Sequence, residues 1–138
     1  MYYTGQGVIQ NYAEAVKWYR KAAAQGYAKA QSNLGLMYAN GQGVTRNDAE
    51  AVKWYHKAAN QGIAAAQSNL GAMYANGQGV TRNYVCAYMW FSLATARGNT
   101  TAAKYIDIVA QRMNRADMSR AQKLAAAWTP KSKACCPR

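Results

Sequence analysis

The residues best placed for chemistry lie in one glycine-rich stretch, ANGQGVTRN, at 39–47 and again at 75–83, echoed by TGQGVIQN at 4–11. Backbone N–H groups in such a loop, at a helix start, attract phosphate. That reading lacks its partners here. A P-loop closes with Gly-Lys-Ser/Thr and a dinucleotide fingerprint follows a strand, whereas GQGVTRN offers neither. Trp18, Trp54 and Trp90 are suited to stacking on bases or planar ligands. They recur at one position, beside Tyr19, Tyr55 and Phe91, and an aromatic stripe repeated on helices reads as inter-helix packing.

The remaining reactive groups are sparse. His56 is the single histidine, with Arg20 and Ser92 at the equivalent positions. With no second imidazole or nearby thiol to complete a ligand set, it reads as solvent-facing. The three cysteines, Cys86, Cys135 and Cys136, do not resemble a disulfide framework, and CCPR fits a prenylation box badly. Catalysis needs convergent acids, bases or nucleophiles. One histidine and five scattered acids supply no such set, so no catalytic residue, metal or cofactor is expected.

Charge and composition narrow the partner. Seventeen Lys and Arg face five acids, for a net charge of +12. That excess favours acidic partners and attracts nucleic acid or anionic surfaces. The last forty residues hold eight basic residues against two acids, which makes a C-terminal basic binder the competing reading. No apolar run is long enough for a membrane span, and MYYTGQGV lacks the features of a signal peptide. The chain as given reads as cytoplasmic. It would read as periplasmic or secreted if a signal and further repeats preceded Met1.

The elements that position these residues repeat. Residues 27–62 and 63–98, aligned at a shift of 36, are identical at 22 of 36 positions, and 1–26 match 37–62 at 19 of 26. Each unit divides at its glycines. In AKAQSNLGLMYAN (28–40), Ala30, Leu34, Met37 and Tyr38 form one helical face, and Gly41 ends it cheaply at positive φ. Asn47 with Glu50 predicts a capping box opening the second helix. Cys86 stands where the third copy would have that Glu, which predicts a weaker start. Ala51, Trp54, Tyr55 and Ala58 form the second apolar stripe, and Val8, Val44 and Val80 plug the loops. A unit is therefore helix A, loop, helix B, tight turn, and such units bury their faces only by stacking.

The ends differ. A divergent unit with helix A at 101–113 has Asp107 in place of Gly35 and Gly71, and a closing helix carries Ala121, Leu124, Ala125 and Trp128 on one face. The domain spans 1–128: a partial repeat (1–26), full repeats (27–62 and 63–98) and the terminal unit with its cap (99–128). Residues 129–138 read as a flexible basic tail. The first helix B, about 12–25, lacks most of its partner. Val16, Tyr19, Ala22 and Ala23 should leave a face open, which suggests self-association or a longer array.

The pattern AxAQxNLGxMYxxGxGV…A…WYxKAAxQG, read here at Ala28–Tyr38, Gly41–Val44, Ala51, Trp54, Tyr55, Lys57–Ala59, Gln61 and Gly62, resembles the Sel1-like repeat family, relatives of tetratricopeptide repeats. AYMWFSLATARGN followed by MSRAQKLAAAW is similar to the terminal segment of bacterial members. The resemblance implies an all-α, right-handed superhelical solenoid whose A helices line a concave groove. It further implies a non-enzymatic adaptor in protein–protein interaction. The partner would be a protein or peptide, acidic by preference. On that implication Lys29, Ser32, Leu36, Ala39 and Asn40 face inward in one unit. Ala65, Ser68, Ala72, Ala75 and Asn76 follow in the next, then Lys104, Ile108, Gln111 and Arg112. Asn amides there could bond a peptide backbone, and Lys29, Lys104 and Arg112 could receive a carboxylate.

Overall fold

A computed structural model describes residues 11–130. They form seven α-helices: α1 (Tyr12–Ala24), α2 (Ala28–Asn40), α3 (Asp48–Asn60), α4 (Ala64–Asn76), α5 (Tyr84–Ala96), α6 (Thr100–Ala110) and α7 (Arg115–Ala127). The N-terminal glycine loop with Val8, and residues 131–138 with Cys135 and Cys136, lie outside the described residues. The A helices are α2, α4 and α6 and the B helices α1, α3 and α5; these six pack on their neighbours in sequence, while α7 packs back on α5. Two apolar clusters result. One joins Val16 and Ala23 of α1 to Ala30, Leu34 and Met37 of α2. The larger runs from Ala51 on α3 to Val109 on α6, with Leu124, Ala125 and Trp128 laid against it. Among the described residues, no helix is long and apolar enough to cross a membrane.

The repeated loop is tied at both ends. Gly41 takes φ 68° and its N–H reaches Met37 O, as does that of Gln42 at 2.9 Å. The Asn47 side chain accepts from Glu50 N–H at 3.1 Å, which caps α3. The other half of the expected box is not made, because Asn47 N–H donates instead to Tyr38 O at 2.9 Å. The cap bond therefore forms without the Glu side chain, which pairs with Lys53 at 3.8 Å instead. Without that Glu, Asn83 accepts from Cys86 N–H at the same 3.1 Å, and its own N–H bonds Tyr74 O at 2.9 Å.

The second glycine has a separate task. Gly43 (φ 76°) lies against the backbone of Tyr12 and Ala13, and Gly79 (φ 72°) against that of Asp48 and Ala49. Each loop thus seats on the first turn of the preceding B helix, so close that a Cβ would strike peptide atoms. Within a unit, Gly35 and Gly71 let helix A meet an aromatic ring of helix B. A Cβ on Gly35 would stand 2.8 Å from the Tyr55 ring, and one on Gly71 2.9 Å from Phe91.

A polar ladder runs beside this packing. Gln31 Nε2 donates to Ala23 O at 3.2 Å, while Gln61 Nε2 reaches both Gly26 O at 3.0 Å and Gln31 Oε1 at 2.9 Å. One unit on, Gln67 Nε2 repeats the first bond, to Ala59 O at 3.1 Å. Arg97 has replaced the second glutamine and lies over the Trp128 ring at 6.0 Å, leaving the buried Gln67 Oε1 without a hydrogen bond. A further rung links B helices to the next A helix: Arg20 Nη2 donates to Tyr38 Oη at 2.8 Å, and His56 Nε2 lies 3.0 Å from Tyr74 Oη. His56 also meets Trp90 edge-to-face at 5.8 Å. It is half-buried between units, not solvent-facing, because its ring bridges two repeats.

Several end assignments change. Helix α6 ends at Ala110, before the expected 113, and Arg112 and Met113 close a turn onto Val109 O and Ala110 O. Asn114 then caps α7 by accepting from Asp117 N–H at 2.8 Å, so the closing helix starts at Arg115 instead of Met118. Its buried face is as expected, with Ala121 fully buried and Arg120 and Lys123 exposed. On α1, Val16 and Ala23 are buried, with Tyr19 and Ala22 packed beside them, because α2 covers that stripe. The open side carries Trp18 instead, 58% exposed. Cys86 is buried on α5.

Burial pushes the Tyr55 hydroxyl up to about 12, an effect moderated by its hydrogen bond to Asn69 on α4. An unfolded tyrosine loses its proton near pH 10, so between pH 10 and 12 the unfolded chain binds fewer protons than the folded one and stability falls as pH rises. This contribution is complete below pH 10 and amounts to about 2–3 kcal/mol once lost. Urea titrations at pH 9 and 11.5 should show a smaller drop for Tyr55→Phe than for the parent chain.

Candidate functional site

Repeat equivalence sets side chains of α2, α4 and α6 into rows. Leu36, Ala72 and Ile108 occupy one position in the three A helices, as do Asn40, Asn76 and Arg112, and Ser32, Ser68 and Lys104. Leu36 is 42% exposed and Ile108 49%, with the half-buried Ala72 between them in the series. Helix α4 contacts α6 directly. The equivalent positions are therefore all apolar, exposed at Leu36 and Ile108, with a methyl replacing a branched side chain at the middle one.

Polar residues border it. Asn40 and Asn76, the last residues of α2 and α4, are exposed. Lys29 and Lys104 are exposed as well, and among the described residues neither they nor Arg112 is ion-paired; the ion pairs found there are Arg46–Asp48 and Lys53–Glu50. Three cations with free ammonium or guanidinium groups thus face solvent beside an apolar row. Two sequence-derived members differ from expectation. Ser68 is 5% exposed, on a helix that packs against α6 as well as α3 and α5, whereas its copy Ser32 on α2 is half-buried. Arg112 belongs to the turn after α6 instead of the helix face.

Tyr105 was missed. It stands where α2 and α4 carry Asn33 and Asn69, is exposed, and stacks on Phe91 at 6.3 Å. Its departure from the repeat was the available signal. The three tryptophans also part company: Trp90 is 0% exposed, Trp54 half-buried and Trp18 open. The shared packing role inferred for them fails at Trp18, which no described helix covers. Among the described residues, no group of three or more His, Cys, Asp or Glu side chains could hold a metal ion.

The Sel1 repeat profile matches residues 1–27, 28–63 and 64–99, the same period one residue out of phase with the units drawn above. The chain belongs to the Sel1 repeat family. Its fold is an all-α Sel1-like repeat solenoid. This Sel1 repeat protein superposes on the crystal structure of c5321, a protective antigen present in uropathogenic Escherichia coli strains and displaying an SLR fold. The TM-score is 0.82 at 36% identity, over 86% of this chain and 27% of that one. A Sel1 repeat protein from Oxalobacter formigenes matches with a TM-score of 0.70 at 45% identity, over 75% of this chain and 43% of that one. The chain thus spans less than half the length of either. No curated protein matches it.

Proposed function

We propose that this Sel1 repeat scaffold binds a peptide or protein segment along the A-helix face, acting as an adaptor without catalysis. The observation that carries the reading is the open apolar row Leu36–Ala72–Ile108. Exposed branched side chains at one repeat position cost solubility and contribute nothing to the core. An apolar residue of the partner would rest over Ala72, flanked by Leu36 and Ile108. Asn40 and Asn76 would bond its backbone, and Lys29, Lys104 and Arg112 would favour acidic flanks. A row of one such position per repeat can receive an amphipathic helix or an extended segment.

The test is selection of peptides from a displayed random library on the full chain, followed by affinity measurement on variants. Leu36→Asp with Ile108→Asp should weaken a selected peptide about 100-fold while leaving the melting curve nearly unchanged, since both side chains are open and hot-spot apolar contacts are worth roughly 2 kcal/mol or more. Asn40→Ala with Asn76→Ala should weaken it less. Equal affinity for the parent and the Leu36→Asp/Ile108→Asp variant would sink the proposal.

A further inference from the structure

The chain contains its own example of how a B helix is covered. On α5, Met89 and Trp90 are fully buried and Leu93 is packed against the core. The cover is α7: Ala121 is buried, Leu124 and Ala125 lie on the cluster, and Trp128 meets Trp90 edge-to-face at 6.3 Å and 71°. The same three positions read Lys53, Trp54 and Lys57 on α3 and Lys17, Trp18 and Lys21 on α1. No described helix lies over them as α7 lies over α5, although one side of Trp54 packs against the α1–α2 cluster. The two B helices are adjacent at their C-terminal ends, where Gln61 Nε2 bonds Gly26 O at 3.0 Å.

We propose that this tryptophan–lysine face of α1 and α3 is a second docking surface, and that its occupant is an acidic amphipathic helix of another protein, seated on it as α7 is seated on α5. The tryptophans supply the apolar anchor that α7 uses. Replacing Met89 and Leu93 by lysine keeps a flank of aliphatic stem but ends it in charge, so the occupant must bring carboxylates where α7 brings methyl groups. Lys21 Nζ lies 5.3 Å from the Trp18 ring centroid, and Lys53 and Lys57 Nζ lie 5.2 and 5.7 Å from that of Trp54. Each ring thus has an ammonium group over a face, which competes with stacking by a nucleobase and leaves ring edges for the edge-to-face contact seen with Trp128. A second copy is disfavoured, because α7 is itself basic, with Arg115, Arg120 and Lys123 against Asp117.

The probe is a labelled peptide of residues 114–128 carrying Arg115→Glu, Arg120→Glu and Lys123→Glu, titrated with the full chain at low salt and followed by fluorescence anisotropy. Saturable binding is expected, weakened about tenfold or more by Lys53→Glu with Lys57→Glu, since like charges at a contact are strongly repulsive. That variant should gain the unmodified basic peptide. Trp18→Ala, at an exposed ring, should weaken the acidic peptide without disturbing the fold and decides the matter if the lysine variant does not fold. Leu36→Asp with Ile108→Asp should have no effect, which separates this surface from the A-helix face. No saturable binding, or binding indifferent to both the lysine and tryptophan variants, overturns the proposal. So does capture by phosphatidylglycerol vesicles or oligothymidylate that the lysine variant abolishes while the peptide stays unbound.

Discussion

Gly79→Ala is expected to destabilise the chain by about 3 kcal/mol, read as a shift of the urea midpoint. Two effects add. Holding alanine at positive φ costs about 1–2 kcal/mol. Overpacking a tight contact adds about 1–3 kcal/mol, and here the obstacle is the backbone of Asp48 and Ala49, which no rotamer change can move. The internal control is Gly98→Ala. Gly98 has φ 90° with nothing within 4 Å of a built Cβ, so it carries the conformational cost alone, about 1–2 kcal/mol. A larger loss at Gly79 than at Gly98 therefore measures the seating of the loop on the preceding unit. Equal losses would mean that the loop is only a turn.

Trp90→Ala should cost about 3–5 kcal/mol, the range for truncating a buried aromatic residue. Its ring is closed on by His56 from the preceding B helix and Trp128 from the end of α7, so the cavity would open between three elements and collapse poorly. Trp18→Ala, at the equivalent repeat position, should fall within about 0.5 kcal/mol of the parent. Trp54→Ala should lie between. Thermal or urea unfolding of the three variants checks the gradient. A uniform cost would contradict the burial pattern and with it the open face on α1 and α3.

The limits of the sequence reading follow from what repetition can and cannot encode. Helix bounds in the two full units were legible because Gly41, Gly77, Asn47 and Asn83 mark both ends with residues of known geometry. The divergent unit lacks those marks. Its caps, Asn99 and Asn114, stand outside the repeated pattern, and α6 and α7 were accordingly drawn a few residues away from where they lie. Equivalence in sequence also implies equivalent surroundings only in the middle of an array. Trp18 and Trp90 share a repeat position but not a neighbour, and Ser32 and Ser68 differ in burial for the same reason. The missing Glu half of the capping box was invisible because a backbone carbonyl, Tyr38 O, had already taken the donor. On the candidate face, Leu36 and Ile108 were reached through the family resemblance and both are exposed, whereas Tyr105 was hidden by reading the terminal unit as a worn copy of the others.

The adaptor reading is tested most directly by amide NMR of the full chain titrated with a peptide selected on it. Shifts centred on Leu36, Ala72, Asn76 and Ile108, abolished by Leu36→Asp with Ile108→Asp and retained in Trp18→Ala, are the expected result. Shifts confined to α1, α3 and α7, with the A-helix row silent, would contradict it.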